Sequence, residues 1–180
     1  MDMWTKLAVF AFFETPKVIL RPFRYEDHWD FYSMVNDTKN LYYVFPEQKT
    51  KAASDYLLVH SFIKFPLGQW AIEDKATHQV IGSIRIEHYD AKTRCADIGY
   101  FLNYAFWGQG IMTEVVIKLV YLSFHEFGLK TLRIITHLEN KASQKVAKKA
   151  GFQLKTCFKG SDRNTHKICI YKMYQLTNDR

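Results

Sequence analysis

The chain has 180 residues, room for one domain of about 100 to 200 residues and too few for two well-cored ones. With 48% apolar and 16% aromatic residues against 24% charged, it can bury roughly 70% of its unfolded surface, which excludes disorder, a collagen-like chain and a disulfide miniprotein. Twenty-five Lys and Arg against 18 Asp and Glu give a formal charge of +7, which favours an anionic partner: a phosphorylated cofactor, an RNA surface or lipid headgroups.

Residues 7–13 are an apolar run after Lys6, too short for a bilayer span of about 20 residues and without a small-residue cleavage site. Residues 3–13 are expected to form a core-packing amphipathic helix; a membrane-surface helix is the alternative, weakened by the flanking Asp2 and Glu14. Pro16, Pro22, Pro46 and Pro66 punctuate short elements in the first part of the chain. A strand is expected over 18–20, then a helix over 25–35 burying Trp29, Tyr32 and Val35, and a helix over 52–63. Three β-like runs follow at 69–73, 80–88 and 95–102; in the second, Ile84 and Ile86 stand opposite Arg85 and Glu87. Turns at 74–78 and 89–94 make this stretch antiparallel. The period then changes: 111–127 carries Val116, Leu119, Val120 and Phe127 with small Ser123 on one helical face, and Gly128 is its stop. A strand at 132–137, a helix at 141–150 halted by Gly151, and strands at 152–159 and 166–176 complete an α+β domain. No repeat, low-complexity tract or linker divides it, so 1–180 is expected to be a single domain.

Two stretches carry chemistry. Trp107-Gly108-Gln109-Gly110-Ile111-Met112-Thr113-Glu114 places two glycines in the turn between a strand and the longest helix. Such a turn points free N–H groups outward, the helix dipole favours an anion there, and glycines let a phosphate approach the backbone. It is neither a Walker loop nor a dinucleotide fingerprint, because no GK[ST] follows and GxGxxG fails at Thr113. A plain strand-to-helix turn accounts for the glycines equally well. The second stretch, Glu139-Asn140-Lys141-Ala142-Ser143, puts Asn140, Ser143 and Ala147 on one helical stripe. By itself that is a helix N-cap with a serine in the first turn.

The other signals carry less. Cys95, Cys157 and Cys169 include no CxxC pair, so neither a disulfide framework nor a cysteine zinc site is supported, and a reducing cytosol is the simplest setting. His125-Glu126 lacks the second histidine of HExxH and the seven histidines are scattered, so no metal is expected. Lys141, Lys145 and Lys148 form a stripe flanked by Lys149, which is either a solvated face or a polyphosphate contact. Trp29, Phe31, Tyr32, Tyr42, Tyr43 and Phe45 either build core or line an acceptor groove.

In combination these stretches resemble the GNAT acetyltransferases, specifically the RimJ/RimL-like branch that acetylates protein N-terminal amines. The resemblance runs from Glu14 to about Leu176. It opens with Glu14-Thr15-Pro16-Lys17-Val18-Ile19-Leu20-Arg21-Pro22-Phe23 and passes through Ala96-Asp97-Ile98-Gly99-Tyr100-Phe101-Leu102 into Phe106-Trp107-Gly108-Gln109-Gly110. It closes with Glu139-Asn140-Lys141-Ala142-Ser143 and Lys149-Ala150-Gly151-Phe152. The resemblance implies a mixed, mostly antiparallel sheet flanked by helices and acetyl-CoA as cosubstrate. The diphosphate would lie on the amides of Gly108, Gln109, Gly110, Ile111, Met112 and Thr113, and the pantetheine arm beside Phe101 and Leu102. Asn140 and Ser143 would face the thioester, with Lys149 also toward the cofactor. Trp107 and Met112 depart from the general family's phosphate motif, and Ala147 stands where many relatives carry the tyrosine that protonates the leaving thiolate. Ser143 is the matching alternative acid.

Acetyl transfer needs a neutral amine. At pH 7 deprotonating an α-amine costs only about 1 to 1.4 kcal/mol, against roughly 4.6 for a lysine. A modest base therefore suffices for a protein N-terminus, and Asp97 is the candidate, drawing the proton through water; an ion pair or sheet-face carboxylate is the other reading of Asp97. Glu73 and Glu87 are further candidates. Backbone N–H groups freed where the strand of Phe101 diverges from its neighbour would stabilise the oxyanion. A protein N-terminus is the expected acceptor, that of a ribosomal protein being one candidate, with a small amine or a non-catalytic RNA-binding role as alternatives; homodimerisation stays open, and neither DNA nor a membrane is expected as a partner.

Overall fold

The computed structural model describes residues 1–37, 39, 43–44, 46–162 and 165–178. Eight strands form a sheet in the order β1-β2-β3-β4-β5-β6-β8-β7. They are β1 (Phe13–Glu14), β2 (Val18–Arg21), β3 (Gln69–Asp74), β4 (Val80–Asp90), β5 (Cys95–Leu102), β6 (Thr131–His137), β7 (Gln153–Ser161) and β8 (Ile168–Thr177). The helices among the described residues are α1 (Met3–Val9), α2 (His28–Val35), α3 (Lys51–Leu58), α4 (Ile111–His125) and α5 (Lys141–Lys149). β1–β2, β2–β3, β3–β4, β6–β8 and β7–β8 are antiparallel, whereas β5–β6 is parallel. A parallel pair needs a crossover, and α4 supplies it. The α+β class and the mixed, mostly antiparallel sheet are as expected from the sequence. The chain divides into two compact units: Met1–Arg85 with Tyr100–Ile111, and Ile86–Gly99 with Met112–Arg180.

In the first unit, the Asp2 carboxylate caps α1 by accepting from the N–H groups of Trp4 and Thr5 at 2.9 and 3.1 Å. The helix ends at Val9, short of the expected 13, because Phe13 and Glu14 pair with Leu20 and Ile19 in the sheet. The Phe10 carbonyl at its end accepts from the Trp70 indole at 3.1 Å. A 3-10 turn at Tyr25–Asp27 precedes α2 and resets its register, so the buried stripe is Phe31, Met34 and Val35. Trp29, expected inside, is 63% exposed, with the Lys51 ammonium 4.8 Å from its ring centroid. α3 runs on as a π-helical turn, Val59–Ile63, and its Phe62 meets Phe23, Phe31 and Phe101 edge to face at centroid distances of 5.0, 5.1 and 6.3 Å.

Two tight features anchor this unit. Arg21, at the end of β2, is buried between two carboxylates: its Nη atoms donate to both oxygens of Asp27 at 2.8 and 2.9 Å and its Nε to Glu73 at 2.5 Å. Burial pulls the guanidinium down, but the Asp27 and Glu73 carboxylates outweigh it and hold its pKa above the ordinary value. Burial likewise pushes Glu73 up, and Arg21 overrides that, leaving the carboxyl below its usual range. At Gly82 on β4, a Cβ would stand 2.4 Å from the Phe101 carbonyl oxygen, so β4 and β5 meet there with no room for a side chain.

In the second unit α4 buries Met112, Val115, Val116, Leu119, Leu122 and Ser123, and Gly128 at φ +75° follows its end. The side chain of buried Gln144 fastens α5 to the end of β6, its Nε2 donating to the carbonyls of Leu138 and His137 at 2.7 and 3.2 Å. The β7–β8 hairpin aligns Tyr174 of β8 with Leu154 on one side and with Ile134 of β6 on the other.

Candidate active site

The phosphate-type turn lies in the first unit and is built from β5 outward. Phe101 and Leu102 are buried at the strand's end, and the next N–H, of Asn103, donates to the Ile81 carbonyl at 2.7 Å. Asn103 turns the chain by accepting from the Ala105 N–H at 3.0 Å, opening the 3-10 turn Tyr104–Phe106. The Trp107 indole then folds back and donates to the Leu102 carbonyl at 2.7 Å. That bond fixes the departure from the family motif in place and occupies a main-chain acceptor at the strand end.

Gly108 and Gly110 both have left-handed backbones, φ +76° and +78°, a conformation costing an L-residue about 1 to 2 kcal/mol. A Cβ at either would meet nothing within 4 Å, so the glycines serve the backbone and leave open space in front of the loop. Lys17 reaches across 92 positions of sequence to donate from Nζ to the Gln109 carbonyl at 2.8 Å, which ties the loop down and sets a cation on it. Ile111 then begins α4, whose first-turn N–H groups have no carbonyl within the helix to bond. The exposed glycines and the adjacent lysine fit a diphosphate.

In the second unit, Met112 is buried and Thr113 half-buried at the start of α4. Asn140 caps α5, its Oδ1 accepting from the Ser143 N–H at 3.1 Å, and Ser143 is half-buried. Ala147, on the same stripe, is fully buried, and Lys149 is exposed in the last turn. Lys145 and Lys148 are exposed too, whereas Lys141 donates to the Leu138 carbonyl at 3.1 Å.

Asp97 is buried, and each carboxylate oxygen has a partner: Oδ1 accepts from Arg133 Nε at 2.7 Å and Oδ2 stands 2.9 Å from Nδ1 of His88. Burial pulls the Arg133 guanidinium down, and the hydrogen bond and charge of Asp97 outweigh it, so its pKa is raised. The parallel ladder of β5 and β6 consists of Cys95↔Thr131, Ala96↔Leu132 and Asp97↔Arg133 and goes no further, so Asp97 sits on its last rung. Burial pushes the neighbouring Cys95 thiol up, which disfavours a thiolate nucleophile. Glu73 is committed to Arg21 in the first unit.

Sequence reasoning missed four contributors: His88, Arg133, Gln144 and Lys17. His88 had a signal, since it shares strand parity with Ile84 and Ile86; Arg133 and Lys17 are set by pairings between residues far apart in the chain, and Gln144 by a bond back across the turn between β6 and α5. Of the aromatic candidates, Phe31 is core, Trp29 and Tyr43 are exposed, Tyr32 is half-buried, and Tyr42 and Phe45 lie outside the described residues. Among the described residues no helix is long and apolar enough to cross a membrane, and no three His, Cys, Asp or Glu side chains are placed to hold a metal.

Comparison with known proteins adds the family. The uncharacterized N-acetyltransferase YoaA of Bacillus subtilis is 29% identical over 149 residues, 81% of this chain and 84% of that protein. The ribosomal-protein-serine acetyltransferase of Escherichia coli is 29% identical over 84 residues, 47% of each chain. A GNAT-family acetyltransferase from Bacillus anthracis has the same fold, with a TM-score of 0.83 at 16% identity over 94% of this chain and 99% of that one. The microcin C7 self-immunity acetyltransferase MccE, solved with acetyl-CoA and AMP, superposes with a TM-score of 0.75 at 20% identity, covering 91% and 94%. The model of the acetyltransferase (GNAT) domain matches residues 17–153, from the lysine that holds the glycine loop to the strand beyond Gly151, and on that match the chain belongs to the GNAT acetyltransferase family.

Proposed function

We propose that this enzyme transfers an acetyl group directly to a protein N-terminal α-amine. As a GNAT acetyltransferase it takes acetyl-CoA as cosubstrate, which supplies the acetyl group as an activated thioester. The observation that carries the reading is the turn at Gly108 and Gly110: two left-handed glycines with nothing within 4 Å of where a Cβ would stand, Lys17 bonded to the carbonyl between them, and a 15-residue helix following in the chain.

The chain's own residues then divide the work. The amides of Gly108, Gln109, Gly110, Ile111, Met112 and Thr113 bind the diphosphate with the positive end of the α4 dipole. Phe101 and Leu102 border the pantetheine arm. Asn140 orients the start of α5, Ser143 donates a proton to the departing sulfur, and Lys149 adds positive charge near the cofactor. N–H groups of β5 beyond the last rung with β6 hold the charge that develops on the carbonyl oxygen, a contribution of roughly 3 to 4 kcal/mol per donor. The acceptor's proton leaves toward Asp97. An α-amine is favoured as acceptor because its neutral form costs only about 1 to 1.4 kcal/mol to reach at pH 7, and the E. coli relative named for ribosomal-protein-serine acetylation points the same way. On this reading residues 1–180 work as one acetyltransferase domain of the cytosol.

Thermal shift with acetyl-CoA is the first test. At a hundredfold excess over Kd, linkage adds about 2.7 kcal/mol, or roughly 5 to 11 °C for a chain of this size. Free-thiol release over a panel of N-terminal peptides and small amines then identifies the acceptor. Faster turnover of small amines would overturn the N-terminal assignment, and no thermal shift would overturn the loop assignment.

A further inference from the structure

We propose that His88 is the base that accepts the acceptor amine's proton, and that Asp97 is its positioning residue; the inference rests on the acetyl-transfer reading above and supplies its proton path. Four observations within the second unit converge on it. The Asp97 carboxylate is only 9% exposed and both its oxygens are engaged, so it has little free surface of its own to meet an amine. The His88 side chain is 57% exposed while its Nδ1 stands 2.9 Å from Oδ2 of Asp97. A carboxylate that accepts from Nδ1–H fixes the tautomer in which Nε2 carries the lone pair, the atom a general base uses. The buried carboxylate and the reachable ring thus have the orienter-and-base arrangement.

Backbone geometry singles out the same residue. Among the described non-glycine residues, four have positive φ: His78, Arg94 and His166 stand in connections between strands, whereas His88, at +49°, lies inside β4. A left-handed residue within a strand is strained and breaks the side-to-side alternation. The pairing with Asp97 accompanies that break. Finally, Asp97 and Arg133 form the last rung of the parallel ladder, so the base stands at the place where β5 and β6 cease to pair. Arg133 acts as a strut, holding Oδ1 so that Oδ2 stays aimed at the ring.

The step balances. The neutral amine's lone pair forms the new N–C bond, the C–S bond breaks with its pair on sulfur, one amine proton passes to Nε2 of His88, and sulfur takes up one proton to become the thiol. The imidazolium returns its proton to solvent, so amine and thioester become amide and thiol with nothing else consumed.

The test compares His88→Ala, His88→Asn and Asp97→Asn with the wild type, in purified full-length enzyme. His88→Ala should lower kcat about 100- to 1,000-fold while leaving the acetyl-CoA Kd, read by thermal shift, within about twofold of wild type. Free imidazole should recover about a tenth or more of the lost rate in His88→Ala, which a merely structural role would not allow. In the wild type, the His88 imidazole ¹⁵N resonances should report the proton on Nδ1, and Asp97→Asn should remove that preference and lower kcat with acetyl-CoA binding intact. Wild-type kcat in a folded His88→Ala would overturn the proposal, as would loss of rate without imidazole rescue, or a wild-type proton on Nε2. If His88→Ala does not fold, His88→Asn and the wild-type ¹⁵N spectrum decide by the same criteria. Failure of the wild type to bind acetyl-CoA would instead refute the acetyl-transfer reading.

Discussion

Replacing Arg21 by Met should be among the most damaging single changes outside the active site. The substitution removes the cation between Asp27 and Glu73 and leaves two carboxylates buried at 5% and 10% exposure. Arg24 remains 3.8 to 3.9 Å from them but is 61% exposed and well hydrated, so it compensates only in part. Breaking a buried ion pair from one side costs about 3 to 5 kcal/mol. A kilocalorie moves Tm by about 2 to 4 °C in a chain of this size, so scanning calorimetry at pH 7 should show a drop of about 6 to 20 °C. The pH dependence follows from Glu73, whose carboxyl is held below its usual range in the folded protein. A depressed carboxyl stabilises the fold above the unfolded pKa of about 4.3, and that stability is lost as pH falls through the folded value, because the unfolded chain takes up the proton first. Wild type should therefore lose its advantage over Arg21→Met, and over Glu73→Gln, as pH falls below about 4. A drop under 2 °C at pH 7, or a gap between variant and wild type that stays constant between pH 7 and 3.5, would refute the assignment of this network as a stabilising one.

Ser143→Ala should keep the α5 cap, because the cap uses the Ser143 main-chain N–H, and should lower kcat about 100-fold with little change in acetyl-CoA Kd; equal losses in both would make Ser143 a binding residue. Lys149→Glu should weaken acetyl-CoA about threefold to tenfold in a titration at low salt, the scale of one exposed charge pair, and less at high salt; an unchanged Kd would remove Lys149 from the cofactor contacts. Gly82→Ala places a carbon 2.4 Å from the Phe101 carbonyl oxygen and should cost about 3 kcal/mol or more in denaturant unfolding, since backbone cannot rotate aside as a side chain can.

What was legible in the sequence and what was not divide along a physical line. The strand at Cys95–Leu102 and the start of α4 at Ile111 fall where periodicity and the two glycines put them, because both are local signals. The Asn140 cap is local as well, a matter of three residues. α1 and α2 were misjudged for a shared reason: hydrophobic runs do not reveal that pairing with β2 will claim Phe13, or that a 3-10 turn will rotate Trp29 outward. At the site, Asp97 stood out by its place in a recognisable stretch, but its partners did not. Arg133 comes from 36 positions further on, and His88, although it shares parity with Ile84 and Ile86, meets Asp97 only through the hairpin register and a left-handed backbone.

Gln144 suspends α5 from the end of β6. Nine residues of helix, four of them lysine, do not persist alone in water. One amide side chain hooked over two carbonyls, together with the buried Ala147 methyl, keeps them folded against the strand end. Amide protons of residues 144–149 should accordingly exchange with deuterium as one cooperative group, well ahead of those in the long helix, and trimming the hook to Ala should speed that group alone. The segment presenting Asn140 and Ser143 is then the part of the second unit whose order is cheapest to lose.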